Sequence, residues 1–222
     1  MKVKDRMTPN PYATTPDTCV GELWHLMQEK ELQRIPVMDR GKLVGIVTRR
    51  DFNARPELDL RRSSLATRFF PEEMEQKLSK LRVRDIIPLN QQLITIHQDA
   101  FIEQAAKLLR DNRISGLPVI DDEGRMVGII TQSDLSDAFL YILGVNCRGT
   151  RLSLRIDDDA QVLLRLGEVL SHFDIKIESM VRMEVKGEKS LLIIRLDTVD
   201  SRSIIEEIKA AGFKVESVIV KQ

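Results

Sequence analysis

The feature that most constrains this chain of 222 residues is an internal repeat. Ile35-Pro36-Val37 recurs as Leu117-Pro118-Val119, and Gly45–Asp51 (Gly-Ile-Val-Thr-Arg-Arg-Asp) recurs as Gly128–Asp134 (Gly-Ile-Ile-Thr-Gln-Ser-Asp). The two copies are about 82 residues apart. In a repeat architecture each copy is a structural unit that buries its apolar face against a neighbouring copy. The first two-thirds of the chain is therefore predicted to form two similar units that pack together.

Each copy carries the same order of helix and strands. Apolar residues follow the spacing of one helical face from Val20 to Met27, and the same spacing returns from Ile102 to Leu109. Each helix leads into a short strand with a proline, then a turn, then a second apolar strand that ends in threonine. We predict two βαββα units, in residues 1–60 and 81–147, joined by a connecting segment in residues 61–80.

The last third of the chain, residues 150–222, has a different pattern. Leu152–Ile156 alternates apolar and polar residues as a strand does, and Leu163–Phe173 carries an apolar stripe at helical spacing. Two more strand patterns, a second helix that ends at Gly212 and a final strand at Val215–Val220 follow. The order βαββαβ is that of a ferredoxin-like fold. The whole chain is therefore predicted to be α+β.

The repeated motif Gly-x-x-Thr-x-x-Asp indicates chemistry, because it lies where an apolar strand meets the first turn of a helix. Unpaired backbone amides and the positive end of the helix dipole favour a phosphate there. A carboxylate in that turn accepts hydrogen bonds from both hydroxyls of a ribose. Arg34, Arg49 and Arg50 add the positive charge that an anionic ligand favours. Threonine and aspartate are also ordinary capping residues, but two copies in register favour a ligand site.

The composition excludes several classes of function. The chain has 34 Lys and Arg and 34 Asp and Glu, whereas a general nucleic-acid binder needs a basic surface. The longest apolar run, Ala138–Val145, is far too short to cross a bilayer. No signal peptide is readable at the start of the chain. We therefore expect a cytoplasmic protein that binds neither nucleic acid nor membrane.

Residues that carry enzyme or metal chemistry are scattered along the sequence. Cys19 and Cys147 have neither metal-ligand nor disulfide spacing, and His25, His97 and His172 have no partner at metal spacing. The sequence has no Ser-His-Asp set, no paired catalytic carboxylates and no Gly-x-Gly-x-x-Gly loop. We expect that the protein is not an enzyme, with no catalytic residue and no bound metal.

Residues 3 to about 145 resemble a tandem pair of cystathionine-β-synthase (CBS) domains, also called a Bateman module. The resemblance rests on Met7-Thr8-Pro9, Arg34–Val37, Ser115–Val119 and the two Gly-x-x-Thr-x-x-Asp motifs. It implies that two units pack sheet to sheet about a pseudo-twofold axis. It also implies two clefts, each of which binds an adenosine-containing regulatory ligand such as AMP, ADP or ATP.

Carried over position by position, each implied cleft pairs the Thr-x-x-Asp end of one copy with the middle of the other copy. Asp51 and Asp134 match the ribose-binding position, and Arg34 matches a position that often meets phosphate. One cleft joins Thr131, Ser133 and Asp134 to Gln33 and Arg34. The other joins Thr48, Arg50 and Asp51 to Ser115 and Gly116. Pro36, Pro118 and Ile129 complete the implied nucleotide-binding set.

The last third of the chain resembles an ACT domain, and a CBS pair with such a tail is similar to the acetoin-utilization type of bacterial CBS protein. Amino-acid-binding ACT domains typically carry an Asp-x-Pro-Gly turn after the first strand. Here that turn reads Asp157–Gln161, with three adjacent carboxylates that would repel the carboxylate of an amino acid. We expect the tail to form a homodimer instead, because Leu191–Ile194 is apolar at four successive positions and calls for burial on both faces.

Three hypotheses of function remain open from the sequence. The leading one is a regulatory protein that binds an adenine nucleotide and transmits its occupancy to the oligomeric state or to a partner enzyme. The second is a structural adaptor whose clefts are vestigial. The third is a sensor of an amino acid or another small molecule that works through the ACT-like tail.

Overall fold

A computed structural model describes residues 1–53, 78–88, 91–157, 161–184 and 190–222. The described chain divides into two compact units, Met1–Leu135 and Ser136–Gln222. Nearly all of the connecting segment expected at residues 61–80 lies outside the described residues, and so does most of the three-aspartate turn.

The first unit contains both copies of the repeat. The elements of the first copy are a 3-10 helix at Val3–Asp5, β1 (Thr8–Pro9), α1 (Val20–Glu29), β2 (Arg34–Asp39), β3 (Lys42–Thr48) and α2 (Arg49–Asn53). Those of the second copy are α3 (Val83–Ile86), β4 (Ile96–His97), α4 (Ile102–Asp111), β5 (Gly116–Ile120), β6 (Met126–Thr131) and α5 (Gln132–Ile142), whose last turns extend into the second unit. In both copies the strand pair is an antiparallel hairpin, β2 with β3 and β5 with β6, as predicted.

The leading segment of each copy packs against the other copy. The sequence places Met7-Thr8-Pro9 at the start of the first copy, but β1 pairs with β6 of the second copy, with Thr8 opposite Ile129. In the reciprocal position the side chain of Gln91 from the second copy bonds to β3 of the first. Its Oε1 accepts from the Ile46 amide at 2.7 Å, and its Nε2 donates to the Ile46 carbonyl at 2.9 Å. The two copies are therefore joined by hydrogen bonds to the second strand of each hairpin.

Apolar side chains of the helices and hairpins form the core between these elements. Val20, Leu23 and Met27 of α1 are buried against Ile35 and Val47 of the hairpin, which explains the helical spacing in the sequence. Burial of side chains of this size contributes about 1.5–3 kcal/mol each to folding.

The second unit is an antiparallel sheet with two helices. Its elements are β7 (Gly149–Ile156), α6 (Val162–Leu170), β8 (Ile177–Met183), β9 (Ser190–Leu196), α7 (Arg202–Ala210) and β10 (Lys214–Lys221). The strand order is β10-β7-β9-β8, and all neighbouring strands are antiparallel. Leu152, Leu154, Leu166, Ile194 and Ile208 are fully buried between sheet and helices. This topology confirms the ferredoxin-like prediction.

The outer face of this sheet, opposite the helices, is partly apolar. Val181 pairs with Ile193 and Met183 pairs with Leu191, so these side chains share the face that the helices leave open. The segment after α5 reaches this sheet, since the Ser179 hydroxyl donates to the Leu143 carbonyl at 2.9 Å. The expectation that Leu191–Ile194 is buried on both faces is therefore met only in part within one chain, where Leu191 and Ile193 are half-buried.

Candidate functional site

The two Thr-x-x-Asp turns adopt the same geometry. Asp51 Oδ2 accepts from the amide of Thr48 at 2.6 Å and from its hydroxyl at 2.8 Å. Asp134 Oδ2 accepts from the amide of Thr131 at 2.7 Å and from its hydroxyl at 2.8 Å. Each aspartate thus ties the end of a strand to the start of the following helix. Because both contacts use Oδ2, a ribose hydroxyl at this turn would approach Oδ1.

One cavity, which we call cleft A, lies beside the turn of the first copy. Its volume is about 460 Å³, within the usual range for a site that binds a small molecule. Thr48 and Arg50 line it from the first copy, and Arg113, Ser115 and Gly116 line it from the second.

The other cavity, cleft B, lies beside the turn of the second copy and has a volume of about 380 Å³. Thr131 and Ser133 line it from the second copy, and Glu31, Gln33 and Arg34 line it from the first. The two clefts are therefore related by the repeat, and each is built from both copies.

The structure brings together most of the residues that the sequence singles out. The predicted residues that line cleft A, cleft B or both are Gln33, Arg34, Thr48, Arg50, Ser115, Gly116, Ile129, Thr131 and Ser133. Asp51 and Asp134 bond to Thr48 and Thr131, which line the clefts, but are not themselves among the lining residues. Pro36 and Pro118 are buried within the hairpins, where they pair with Ile46 and Ile129, and they are also outside both linings.

Arg34 lies at the centre of the arrangement and lines both clefts. Its guanidinium donates to the carbonyl and to the hydroxyl of Ser115, which joins the two copies. Burial lowers the pKa of the Arg34 guanidinium, and the negative charge of Asp134 opposes that shift. Gly116 is the repeat position of Arg34, and a Cβ there would overlap Arg34 Nη1. The glycine therefore leaves room for this arginine.

Arg49, one of the three arginines singled out in the sequence, lines cleft A and also contacts the end of α1. Its Nε donates to the Leu32 carbonyl at 3.0 Å and its Nη2 to the Met27 carbonyl at 2.9 Å. These contacts hold the guanidinium at the end of α1, where Met27 belongs to the last turns of the helix and Leu32 follows it. Both acceptors are neutral carbonyls, so Arg49 keeps its positive charge beside the cleft.

Several lining residues were not predicted from the sequence. Arg113 and Glu31 lie at equivalent repeat positions, at the ends of α4 and α1, and they line clefts A and B respectively. Tyr12 lines cleft B, and Gln91 and Gln92 line cleft A. The alignment of the repeats contains the signal for Arg113 and Glu31, because each lies two residues before a predicted cleft residue, Ser115 or Gln33.

Two other kinds of site were searched for in the described ranges. Among these residues no group of three or more His, Cys, Asp or Glu side chains is placed to hold a metal ion. Within the same ranges no helix combines the length and apolar character needed to cross a membrane.

Comparison with known proteins identifies the repeated unit. The family model named CBS domain matches residues 3–55 and 83–141, which confirms the tandem arrangement. A CBS domain-containing protein of Dictyostelium discoideum is 33% identical over 143 residues, covering 64% of this chain and 92% of that protein. The crystal structure of CBSX2 in complex with AMP aligns with 28% identity and a TM-score of 0.48, over 63% of this chain and 96% of that one. A Vibrio cholerae structure described as an acetoin utilization protein (AcuB) aligns with 24% identity and a TM-score of 0.49, over 66% and 95%.

Proposed function

Because this chain belongs to the CBS-domain family, we propose that it is a ligand-sensing regulatory protein that binds an adenosine-containing nucleotide in clefts A and B. The observation that carries the proposal is the reciprocal pairing of the copies. Each cleft combines a Thr-x-x-Asp turn from one copy with the strand start at Gln33-Arg34 or Ser115-Gly116 from the other. Such a site is complete only when both copies are in place.

The chemistry of the cleft walls suits the parts of a nucleotide. Asp51 and Asp134 do not line the clefts but bond the threonines that do, and their carboxylates are proposed to supply acceptors for ribose hydroxyls. Arg34 and Arg50 supply guanidinium groups, whose fork of donors matches the oxygens of a phosphate. The aliphatic side chains of Ile46 in cleft A and Ile129 in cleft B offer apolar surface for the adenine ring.

The contact between Arg34 and Ser115 gives a route by which occupancy is transmitted. A phosphate that takes the guanidinium competes with the Ser115 carbonyl and hydroxyl, and this contact links the copies. Ligand binding would then change how firmly the two copies are held together. We propose that the oligomeric state or a partner enzyme responds to this change, and that the protein regulates and does not catalyse.

The second unit is proposed to form a homodimer through the outer face of its sheet. On that face Ile219, which pairs with Arg151, is 55% exposed, and Met183 is 45% exposed. Apolar side chains on an open sheet face favour burial against another sheet, and a twofold contact between copies is the commonest solution.

A thermal-shift screen tests the proposed function. Adenosine, AMP, ADP, ATP, NAD and S-adenosylmethionine are expected to raise the melting temperature where they bind, because a ligand of the native state stabilises it. The double variant Asp51→Asn/Asp134→Asn is expected to lose the shift while each asparagine keeps an acceptor for its threonine amide. Asp137→Asn, an exposed position on α5, is the matched control. The absence of a shift with every adenosine compound would contradict the proposal and favour the adaptor hypothesis.

One observation favours the small-molecule sensor as a second candidate. A cavity of about 380 Å³ lies between the start of α6 and the sheet of the second unit. Ile156, Leu192 and Met180 line it, with Asp157 and Arg182 as the charged groups. Opposite charges on an apolar wall suit a zwitterion, so the thermal-shift screen includes the common amino acids. A shift with an amino acid and none with adenosine compounds would support this candidate.

A further inference from the structure

The two clefts carry different charges at equivalent positions. Arg113 of cleft A and Glu31 of cleft B each follow the last turn of a helix, with φ of 53° and 52°. The amide of Arg113 donates to the Arg110 carbonyl at 3.2 Å, and that of Glu31 donates to the Gln28 carbonyl at 3.2 Å. The backbone therefore places both side chains in the same way, and only their charge differs.

A second pair of equivalent positions adds to this difference. Arg50 lines cleft A from the first turn of α2, and Ser133 lines cleft B from the first turn of α5. Arg50 immediately precedes Asp51 and Ser133 immediately precedes Asp134, and both residues are exposed. Cleft A thus gains a cation where cleft B has a neutral hydroxyl.

The walls of the two clefts consequently differ in their balance of charge. The described residues that line cleft A include four cations, Arg34, Arg49, Arg50 and Arg113, and no carboxylate. Cleft B shares Arg34 with cleft A, and its lining adds the carboxylate of Glu31. Each further phosphate on a ligand adds negative charge, which favours cleft A and is opposed by Glu31 in cleft B.

From these walls, and resting on the proposed function, we infer that the clefts select ligands by phosphate number. Cleft A takes an adenosine di- or triphosphate, and cleft B takes an adenosine compound with no more than one phosphate. One chain therefore senses two adenosine compounds of different charge. The unshared guanidiniums of Arg50 and Arg113 contact the outer phosphates in cleft A.

Isothermal titration of the full chain with adenosine, AMP and ATP at fixed ionic strength tests this assignment. The unchanged protein is expected to bind two ATP molecules per chain, the first with a dissociation constant at least about 10-fold lower than the second. For adenosine the two sites are expected to have similar dissociation constants. Arg113→Glu and Arg50→Ser give cleft A the residues of cleft B. Each is expected to weaken the tight ATP site by about 10-fold or more and to leave adenosine affinity unchanged.

The reverse substitutions test cleft B. Glu31→Arg and Ser133→Arg give cleft B the residues of cleft A, and together they are expected to create a second tight ATP site per chain. All four substitutions place a residue type that the equivalent backbone position already holds, so the fold is expected to tolerate them. Equal urea midpoints for these variants and the unchanged protein would check this point.

Arg110→Glu is the matched control for charge. Arg110 belongs to α4, lies three residues before Arg113 and is outside both linings. A loss of ATP affinity in this variant as large as that in Arg113→Glu would overturn the inference, because net charge alone would then explain the effect. ATP binding to two equal sites in the unchanged protein would also overturn it and would leave the proposed function intact. If adenosine, AMP and ATP all fail to bind, the proposed function itself is wrong.

Discussion

Replacing Gly116 with alanine is expected to break the contact that joins the two copies at their axis. A Cβ at this position would overlap Arg34 Nη1 and would lie 2.8 Å from Cδ and 2.9 Å from Cζ. The three nearest atoms all belong to Arg34, so the side chain must leave Ser115 while the strand keeps its place. Because the guanidinium is partly solvated, we expect the loss of its hydrogen bonds to lower the free energy of unfolding by about 1–2 kcal/mol.

Urea unfolding of four proteins measures this effect as a double-mutant cycle. The proteins are the unchanged chain, Gly116→Ala, Arg34→Ala and the double variant. Once Arg34 is truncated, Gly116→Ala is expected to change the free energy of unfolding by less than about 0.5 kcal/mol, since no atom then blocks the methyl group. Gly167→Ala, whose added Cβ would meet nothing within 4 Å, shows the effect of alanine without a clash, and because Gly167 lies in α6 it is expected to raise the free energy of unfolding by up to about 1 kcal/mol. An equal loss from Gly116→Ala in both backgrounds would refute the role given to Arg34.

Three further predictions concern ligand, pH and assembly. Arg34→Ala is expected to lower the affinity for AMP by about 10- to 100-fold and the affinity for adenosine much less, because only AMP presents an anion. Equal losses of affinity in calorimetry would show that Arg34 does not bind the phosphate. Hydrogen bonds from Lys2 and Lys4 lower the pKa of Asp99 to about 2, so the stability they give is present above pH 4 and is lost as the pH falls towards 2. The melting temperature of the unchanged protein should therefore fall more steeply with decreasing pH over that range than that of Asp99→Asn. Equal decreases for the two proteins would contradict this. Ile219→Lys is expected to shift the protein from dimer towards monomer in light scattering, whereas an unchanged mass would exclude this face from the interface.

The hairpins and the Thr-x-x-Asp turns could be predicted because their signals are local. The alternation of apolar and polar residues, the helical spacing of apolar residues and the three-residue separation of threonine and aspartate can all be recognised within a short stretch of sequence. The exchange of leading segments could not be predicted in this way. β1 has only two residues, Thr8 and Pro9, and its partner Ile129 lies far along the chain. The Gln91 side chain makes both of its hydrogen bonds to Ile46 of the other copy, and no pattern in the sequence marks such a contact.

The orientation of β8 is a second case in which local pattern was insufficient. Its alternating residues indicate a half-buried strand, but alternation does not say which face meets the helices. In the structure Val181 and Met183 pair with Ile193 and Leu191 on the outer face. A register shift between Ile177 and Ser179 changes which residues of β8 face the helices, and Met180 pairs with the buried Ile194. Val181 and Met183 of this strand thus lie on the face that the helices leave open.

The asymmetry at the axis follows from the duplication itself. Two copies related by a pseudo-twofold axis place equivalent residues face to face where they approach that axis. Arg34 already fills the space above position 116, since even a methyl group there would overlap its side chain. A second arginine at Gly116 would meet both this steric conflict and the repulsion of like charge. One guanidinium must therefore serve both clefts, and a phosphate that draws Arg34 into one cleft removes it from the other. Additional cations have to come from other positions, and Arg50 and Arg113 line cleft A but not cleft B.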